Sequence, residues 1–193
     1  FFAGSMNEKR DAASGALVRV DADGSVTPIL SGITISNGLA WSPDGRTMYH
    51  ADTPTRIVHA YDYDTSTGTP RNRRVFAQWS GETDRPDGGT VDSAGNYWSA
   101  FYRGGKVVQI SPQGRTLAEF EVPAMCPTMC AFGGPDLKTL YVTTARQLRD
   151  ADELARLPYT GGLFAMRVDV PGLPEPAFAE RVRFRGYVVF IAL

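Results

Sequence analysis

One ten-residue stretch decides the fold: Ser36-Asn37-Gly38-Leu39-Ala40-Trp41-Ser42-Pro43-Asp44-Gly45. Residues 39–42 are apolar and strand-like, and residues 47–52 run extended again. Between them, Pro43-Asp44-Gly45 supplies a turn, because Pro fixes one φ angle and Gly accepts a positive φ at another position. The stretch therefore predicts a strand, a tight turn and a second strand.

The same plan occurs twice more along the chain. Its second copy begins with Arg85-Pro86-Asp87-Gly88-Gly89, and the third copy covers residues 128–144 with a turn near Gly134-Pro135-Asp136. Further strand-like segments start at residues 16, 57, 106 and 163, roughly 41, 49 and 57 residues apart. This spacing is typical of the four-stranded blades of a β-propeller. We expect an all-β chain that forms an incomplete arc of about three and a half four-stranded blades.

The domain organisation follows from the repeat. We expect one partial propeller over residues 1–180, with a helix-like excursion at residues 147–157 that Pro158 ends. Residues 181–193 are either a last strand or a terminal sequence unrelated to the fold. The chain opens in what looks like the middle of a strand, without an initiator Met, so we expect a fragment of a larger ring.

Composition limits the partners. Lys and Arg number 20 against 21 Asp and Glu, so there is no basic field to attract nucleic acid or anionic lipid. No apolar run approaches the ~20 residues needed to span a bilayer. We expect no nucleic acid and no membrane as partners, and a small or uncharged molecule instead. The expected location is cytoplasmic, although a signal peptide could have preceded residue 1.

Two side chains are candidate metal ligands, Asn37 and Asp87. Each lies beside a glycine and directly before a strand-turn-strand unit, which predicts that both point to one central hole. An amide oxygen and a carboxylate are hard ligands suited to Ca²⁺, Mg²⁺ or Mn²⁺. The alternative is that each is a turn former, since Asn-Gly and Asp-Gly pairs favour turns. The lack of a His or Cys cluster argues against a dedicated structural zinc site.

Three other acidic residues have simpler interpretations. Asp44 and Asp92 lie at or beside turns, where a carboxylate commonly caps the backbone. Asp52 ends a strand just before Thr53 and Pro54, and its alternatives are a structural role and a place in the pocket.

Aromatic, His and Cys residues favour packing. Trp41 and Trp98 occupy equivalent positions of two repeats, which predicts contacts between blades, and His50 and His59 lack a metal-binding partner nearby in sequence. The Cys126-x₃-Cys130 spacing is a weak metal signal, so buried free thiols are expected. For Cys126, a position at the pocket mouth remains an alternative.

Several stretches together resemble one family. The chain is similar to the SMP-30/gluconolactonase/regucalcin-like family of six-bladed propellers from residue 1 to about Phe178. The resemblance rests on residues 2–6, 37–45, 51–53, 86–89 and 128–134. Members are longer, so the resemblance implies that roughly the first third is missing.

The resemblance implies metal-dependent hydrolysis of a sugar lactone, an aldonolactone, to the open-chain acid. It assigns Asn37 and Asp87 to one divalent metal ion (Ca, Mg, Mn or Zn) and gives Asp87 the proton-transfer role. A third ligand, a Glu in an early motif, has no counterpart here, and an acidic pocket residue falls near Glu8 and Lys9 without a clean match. The alternatives are a metal-binding or interaction propeller without turnover, and an inactive fragment.

Overall fold

The computed structural model describes residues 1–176, which fold almost entirely into antiparallel β-sheet. Within this part of the chain, four sheets follow one another in sequence, and each is a meander of adjacent strands. The first sheet contains β1 (Phe2–Gly4), β2 (Gly15–Val20) and β3 (Val26–Ile33); the second β4 (Ser36–Trp41), β5 (Thr47–Asp52), β6 (Ile57–Asp64) and β7 (Thr69–Gln78); the third β8 (Arg85–Val91), β9 (Tyr97–Tyr102), β10 (Lys106–Ile110) and β11 (Thr116–Glu121); and the fourth β12 (Pro127–Gly133), β13 (Thr139–Thr144) and β14 (Leu163–Arg167).

The sheets are the blades of a β-propeller, as the repeat predicts. Two of them have four strands and two have three, within residues 1–176. The first strands of the second, third and fourth sheets, β4, β8 and β12, lie beside one another. The number of blades in a complete ring and the domain boundary at residue 180 remain predictions.

The predicted turns form for the reasons that the sequence indicates. Gly45 and Gly95 have φ angles of 69° and 86°, which residues with a Cβ adopt at a cost. Asp44 accepts hydrogen bonds from Ser42 Oγ (2.6 Å) and the Arg46 N–H (3.0 Å). Asp92 is fully buried and accepts from two backbone N–H groups, the Asn96 amide and Trp98 Nε1. Both carboxylates therefore stabilise turns.

The core lies between neighbouring sheets. Trp98 packs with Cys130 and Leu140 of the fourth sheet, and its ring stacks on Phe120 with 5.4 Å between centroids. Trp41 of the second sheet packs against the first sheet, where its ring centroid lies 5.2 Å from that of Phe2. The prediction that both tryptophans pack between blades is thus confirmed.

The helical excursion is shorter than predicted. Helix α1 spans Ala151–Arg156, and the Asp150 side chain caps it by accepting the Glu153 N–H at 2.7 Å. Leu148 has a φ of 62°, a left-handed conformation that an α-helix cannot contain, so the helix cannot begin at residue 147 as expected. No helix in the described part of the chain has the length and apolar character to cross a membrane. The terminal segment 181–193 lies outside the described residues.

Candidate active site

One cavity brings the two predicted ligands together. It has a volume of about 430 Å³, within the range of small-molecule sites, and is lined by residues from all four sheets. The lining residues are Gly4, Ser5, Met6, Arg10, Ile35, Ser36, Asn37, Thr53, Asp87, Tyr102, Thr128, Ala145, Gln147 and Leu148. Asn37 and Asp87 reach it from the first strands of the second and third sheets.

Asn37 is held by a short chain of hydrogen bonds. Its Nδ2 donates to Thr53 Oγ1 at 2.8 Å, and the Thr53 hydroxyl donates to the Pro86 carbonyl at 2.8 Å. Thr53 is only 6% exposed, so this link between the second and third sheets is shielded from water. Because Nδ2 is engaged, Asn37 Oδ1 is the atom left for a ligand, and it accepts no hydrogen bond from the residues described.

Asp87 has a perturbed carboxyl group. Burial raises its pKa to about 7, while a hydrogen bond from the Gly88 backbone N–H and the charge of Arg10 act in the opposite direction. A carboxyl with a pKa near neutrality exchanges protons readily at physiological pH. The group is therefore poised for acid–base chemistry.

Gly38 allows the second and third sheets to approach closely. It has a φ of 58°, and its carbonyl accepts a 2.8 Å hydrogen bond from the buried Tyr97 hydroxyl. A Cβ at this position would collide with that hydroxyl and lie 3.2 Å from the Asp87 backbone oxygen. The glycine beside Asn37 is therefore required by packing as well as by the turn.

The donor set fits a hard divalent cation. Asn37 Oδ1 and the Asp87 carboxylate are oxygen ligands of the kind that Ca²⁺, Mg²⁺ and Mn²⁺ prefer. No group of three or more His, Cys, Asp or Glu side chains within residues 1–176 is arranged to hold a metal ion. A cation held by these two side chains alone would keep several coordination positions for other donors. A third protein ligand remains a prediction.

Sequence reasoning missed several polar residues of the cavity, among them Ser36, Thr53, Tyr102 and Thr128. Ser36 Oγ lies 2.8 Å from His50 Nε2, and Thr128 Oγ1 lies 2.8 Å from Thr143 Oγ1. No spacing signal marks them, because each reaches the cavity through contacts between strands. Ser36 directly precedes the predicted ligand Asn37, and this position is the signal that could have indicated it.

The two histidines are structural, as predicted. His50 is 2% exposed and burial lowers its pKa to about 4, so the imidazole is neutral at physiological pH. His59, also buried, contacts Arg73 through Nε2 at 3.0 Å. Neither lines the cavity.

Other candidates lie elsewhere. The Asp52 carboxylate accepts the Thr34 and Ile35 N–H groups at 3.0 and 2.9 Å, which fixes the entry to β4. Cys126 is a buried free thiol, as expected, and it does not line the cavity, so the alternative of a position at the pocket mouth is not supported. Neither Glu8 nor Lys9 lines the cavity, whereas Arg10 does. The pocket residue at this point of the chain is thus a cation.

Together, the fold and the site define a β-propeller with a cavity of small-molecule size, lined by the oxygen-bearing side chains of Asn37 and Asp87. The sequence model described as the SMP-30/Gluconolactonase/LRE-like region matches residues 1–146, and the chain belongs to this family.

Two similar proteins are named as lactonases. The chain is 48% identical over 181 residues to a 6-deoxy-6-sulfogluconolactonase of Pseudomonas putida and 41% identical over 187 residues to a pentonolactonase of Haloferax volcanii, with 93% and 94% of this chain covered. A crystal structure of a calcium-binding protein, regucalcin, from Agrobacterium tumefaciens superposes with a TM-score of 0.87 at 34% identity. That match covers 92% of this chain and 60% of the other. The chain spans 62% of the length of both lactonases.

Proposed function

We propose that the protein hydrolyses a sugar lactone to its open-chain acid with the help of one divalent metal ion. The observation that carries the proposal is the convergence of Asn37 and Asp87, an oxygen ligand and a carboxyl group with a pKa near 7, in one cavity. Relatives named 6-deoxy-6-sulfogluconolactonase and pentonolactonase support the reaction class.

In this proposal, Asp87 moves the proton. Its carboxylate takes a proton from the attacking water, and the resulting carboxylic acid gives it to the ring oxygen that leaves. The pKa of about 7 describes Asp87 without a cation, and a bound divalent ion would favour the carboxylate, which is the form that takes the proton from water.

Asn37 and Asp87 would hold the cation. When bound, a divalent ion polarises the lactone carbonyl and stabilises the negative charge that develops on its oxygen. Thr53 orients Asn37 by occupying its Nδ2 atom, which directs Oδ1 to the ion. The metal is Ca²⁺, Mg²⁺, Mn²⁺ or Zn²⁺, and the hard oxygen donors favour the first three.

The cavity suits a polyol. Hydroxyl and amide side chains at Ser36, Tyr102, Thr128 and Gln147 lie among apolar Met6 and Leu148. Such a wall can hydrogen-bond the hydroxyl groups of a sugar and contact its carbon skeleton.

A propeller that binds calcium without turnover is the second candidate, because the similar structure from Agrobacterium tumefaciens is named as a calcium-binding protein. Hydrolysis assays on the full-length natural protein distinguish the two. Aldonolactones are mixed with the protein and Ca²⁺, Mg²⁺ or Mn²⁺, and acid release is followed with a pH indicator. Metal binding without lactone hydrolysis would favour the second candidate.

A further inference from the structure

Among the described residues that line the cavity, Arg10 carries the single positive charge and Asp87 is the single acid. Within residues 1–176, the Arg10 side chain makes no hydrogen bond or ion pair with another residue. Arg10 is exposed at the edge of its loop, and the five N–H donors of its guanidinium group can reach a ligand in the cavity.

The loop around Arg10 gives the next residue, Asp11, another partner. Asp11 Oδ1 accepts a 2.8 Å hydrogen bond from Asn7 Nδ2, and the Arg10 N–H donates to the Asn7 carbonyl at 3.2 Å. Arg10 itself has a φ of 59°, the tight left-handed conformation of a turn. Its neighbours Glu8 and Lys9 lie off the cavity lining.

Arg10 is also not neutralised by an ion pair with the Asp87 carboxyl group. Its charge is the smallest of the three effects on the pKa of Asp87, and no ion pair joins the two side chains among the described residues. Arg149 shows the contrast: it forms an ion pair with Glu153 at 3.3 Å, both side chains being largely buried. One nearby arginine is thus neutralised by the protein, and Arg10 is left for the ligand.

We propose that Arg10 binds an anionic substituent of the substrate, so that the preferred lactone carries a carboxylate, sulfonate or phosphate group away from its carbonyl carbon. The inference rests on the proposed lactonase function. A planar guanidinium matches two oxygens of such a group with paired, charge-assisted hydrogen bonds. Arg10 comes from the loop between β1 and β2, whereas Asn37 and Asp87 belong to the next two sheets. The carbonyl and the anionic group therefore contact different walls.

The test compares three substrates on the full-length natural protein: glucono-1,5-lactone with a hydroxyl, a phosphate or a sulfonate at C6. The readout is the ratio of kcat/KM for a charged lactone to that for the uncharged one. We expect a ratio above about 10 for the natural protein, falling by about 10- to 100-fold in Arg10→Gln, because hydrogen bonds to charged groups contribute on this scale. Arg10→Lys should retain part of the preference for the charged lactone, since lysine keeps the positive charge but lacks the planar pair of N–H donors.

Lys9→Gln is the matched control, because it removes the same charge one residue away from a side chain that does not line the cavity. Its ratio stays at the natural value. Equal kcat/KM for charged and uncharged lactones, or an unchanged ratio in Arg10→Gln, would overturn the Arg10 proposal and leave the lactonase function standing. If the protein hydrolyses other aldonolactones but none of these three, the Arg10 proposal is wrong and the lactonase function stands; if it hydrolyses no aldonolactone at all, both proposals are wrong.

Discussion

Replacing Gly38 with Ala tests how tightly the site is built. A left-handed φ costs a residue with a Cβ roughly 1 kcal/mol. The new methyl group also displaces the Tyr97 hydroxyl from its 2.8 Å hydrogen bond to the Gly38 carbonyl, and an unsatisfied buried hydroxyl costs about 1–3 kcal/mol. We expect a total loss of about 3 kcal/mol in the free energy of unfolding. The melting temperature, followed by circular dichroism on the full-length protein, should fall by about 6–12 °C.

Gly32→Ala separates the two costs. Gly32 has a φ of 69°, similar to that of Gly38, but a Cβ there meets no atom within 4 Å. Only the backbone cost applies, so its melting temperature should fall by about 2–4 °C. Adding Tyr97→Phe to Gly38→Ala should recover part of the loss, because the colliding oxygen is gone. Equal melting temperatures for the two alanine variants would refute the packing argument.

Two further predictions concern the ligands. In metal-free protein, the pKa of Asp87 is about 7, against 3.8 in the unfolded chain. Between these two pH values the folded state binds more protons than the unfolded state. The stability that Asp87 contributes is therefore lost as the pH rises from about 4 to about 7. Asp87→Asn should therefore raise the melting temperature at pH 8 by the equivalent of about 1–3 kcal/mol and leave it unchanged near pH 3, measured in EDTA; a difference that does not depend on pH would contradict this. Thr53→Val removes the hydroxyl that holds Asn37 Nδ2, and it should weaken Mn²⁺ binding about 10-fold in calorimetry. Thr55 lies in the same turn, but its hydroxyl bonds to the Asp52 carbonyl, so Thr55→Val should leave Mn²⁺ affinity unchanged. Equal Mn²⁺ affinities for the two variants would contradict the positioning role of Thr53.

Much of the fold could be predicted from the sequence because its turns are local. Pro43-Asp44-Gly45 and the turn at Gly95 encode strand ends through φ restrictions and short hydrogen bonds within a few residues. The error at helix α1 arose because nothing local distinguishes Leu148 in a left-handed conformation from Leu148 in a helix.

The site was predicted less completely. Asn37 and Asp87 carry a signal, a polar ligand beside glycine in a repeated context, and the structure brings both to one cavity. Thr53 and Ser36 act through partners on other strands, and sequence spacing does not record such contacts. Arg10 was missed because the direction of a loop side chain depends on the Asn7 turn, which places Arg10 rather than Glu8 or Lys9 on the lining.

The hydrolysis rate of Asp87→Asn tests the central claim most directly. The full-length protein and the variant are assayed on the same panel of aldonolactones with Mn²⁺, with circular dichroism as the check on folding. Asparagine keeps an oxygen ligand and nearly the same volume but cannot take a proton, so kcat should fall by roughly 10²–10⁴-fold. A folded Asp87→Asn protein that hydrolyses lactones at the natural rate would contradict the account.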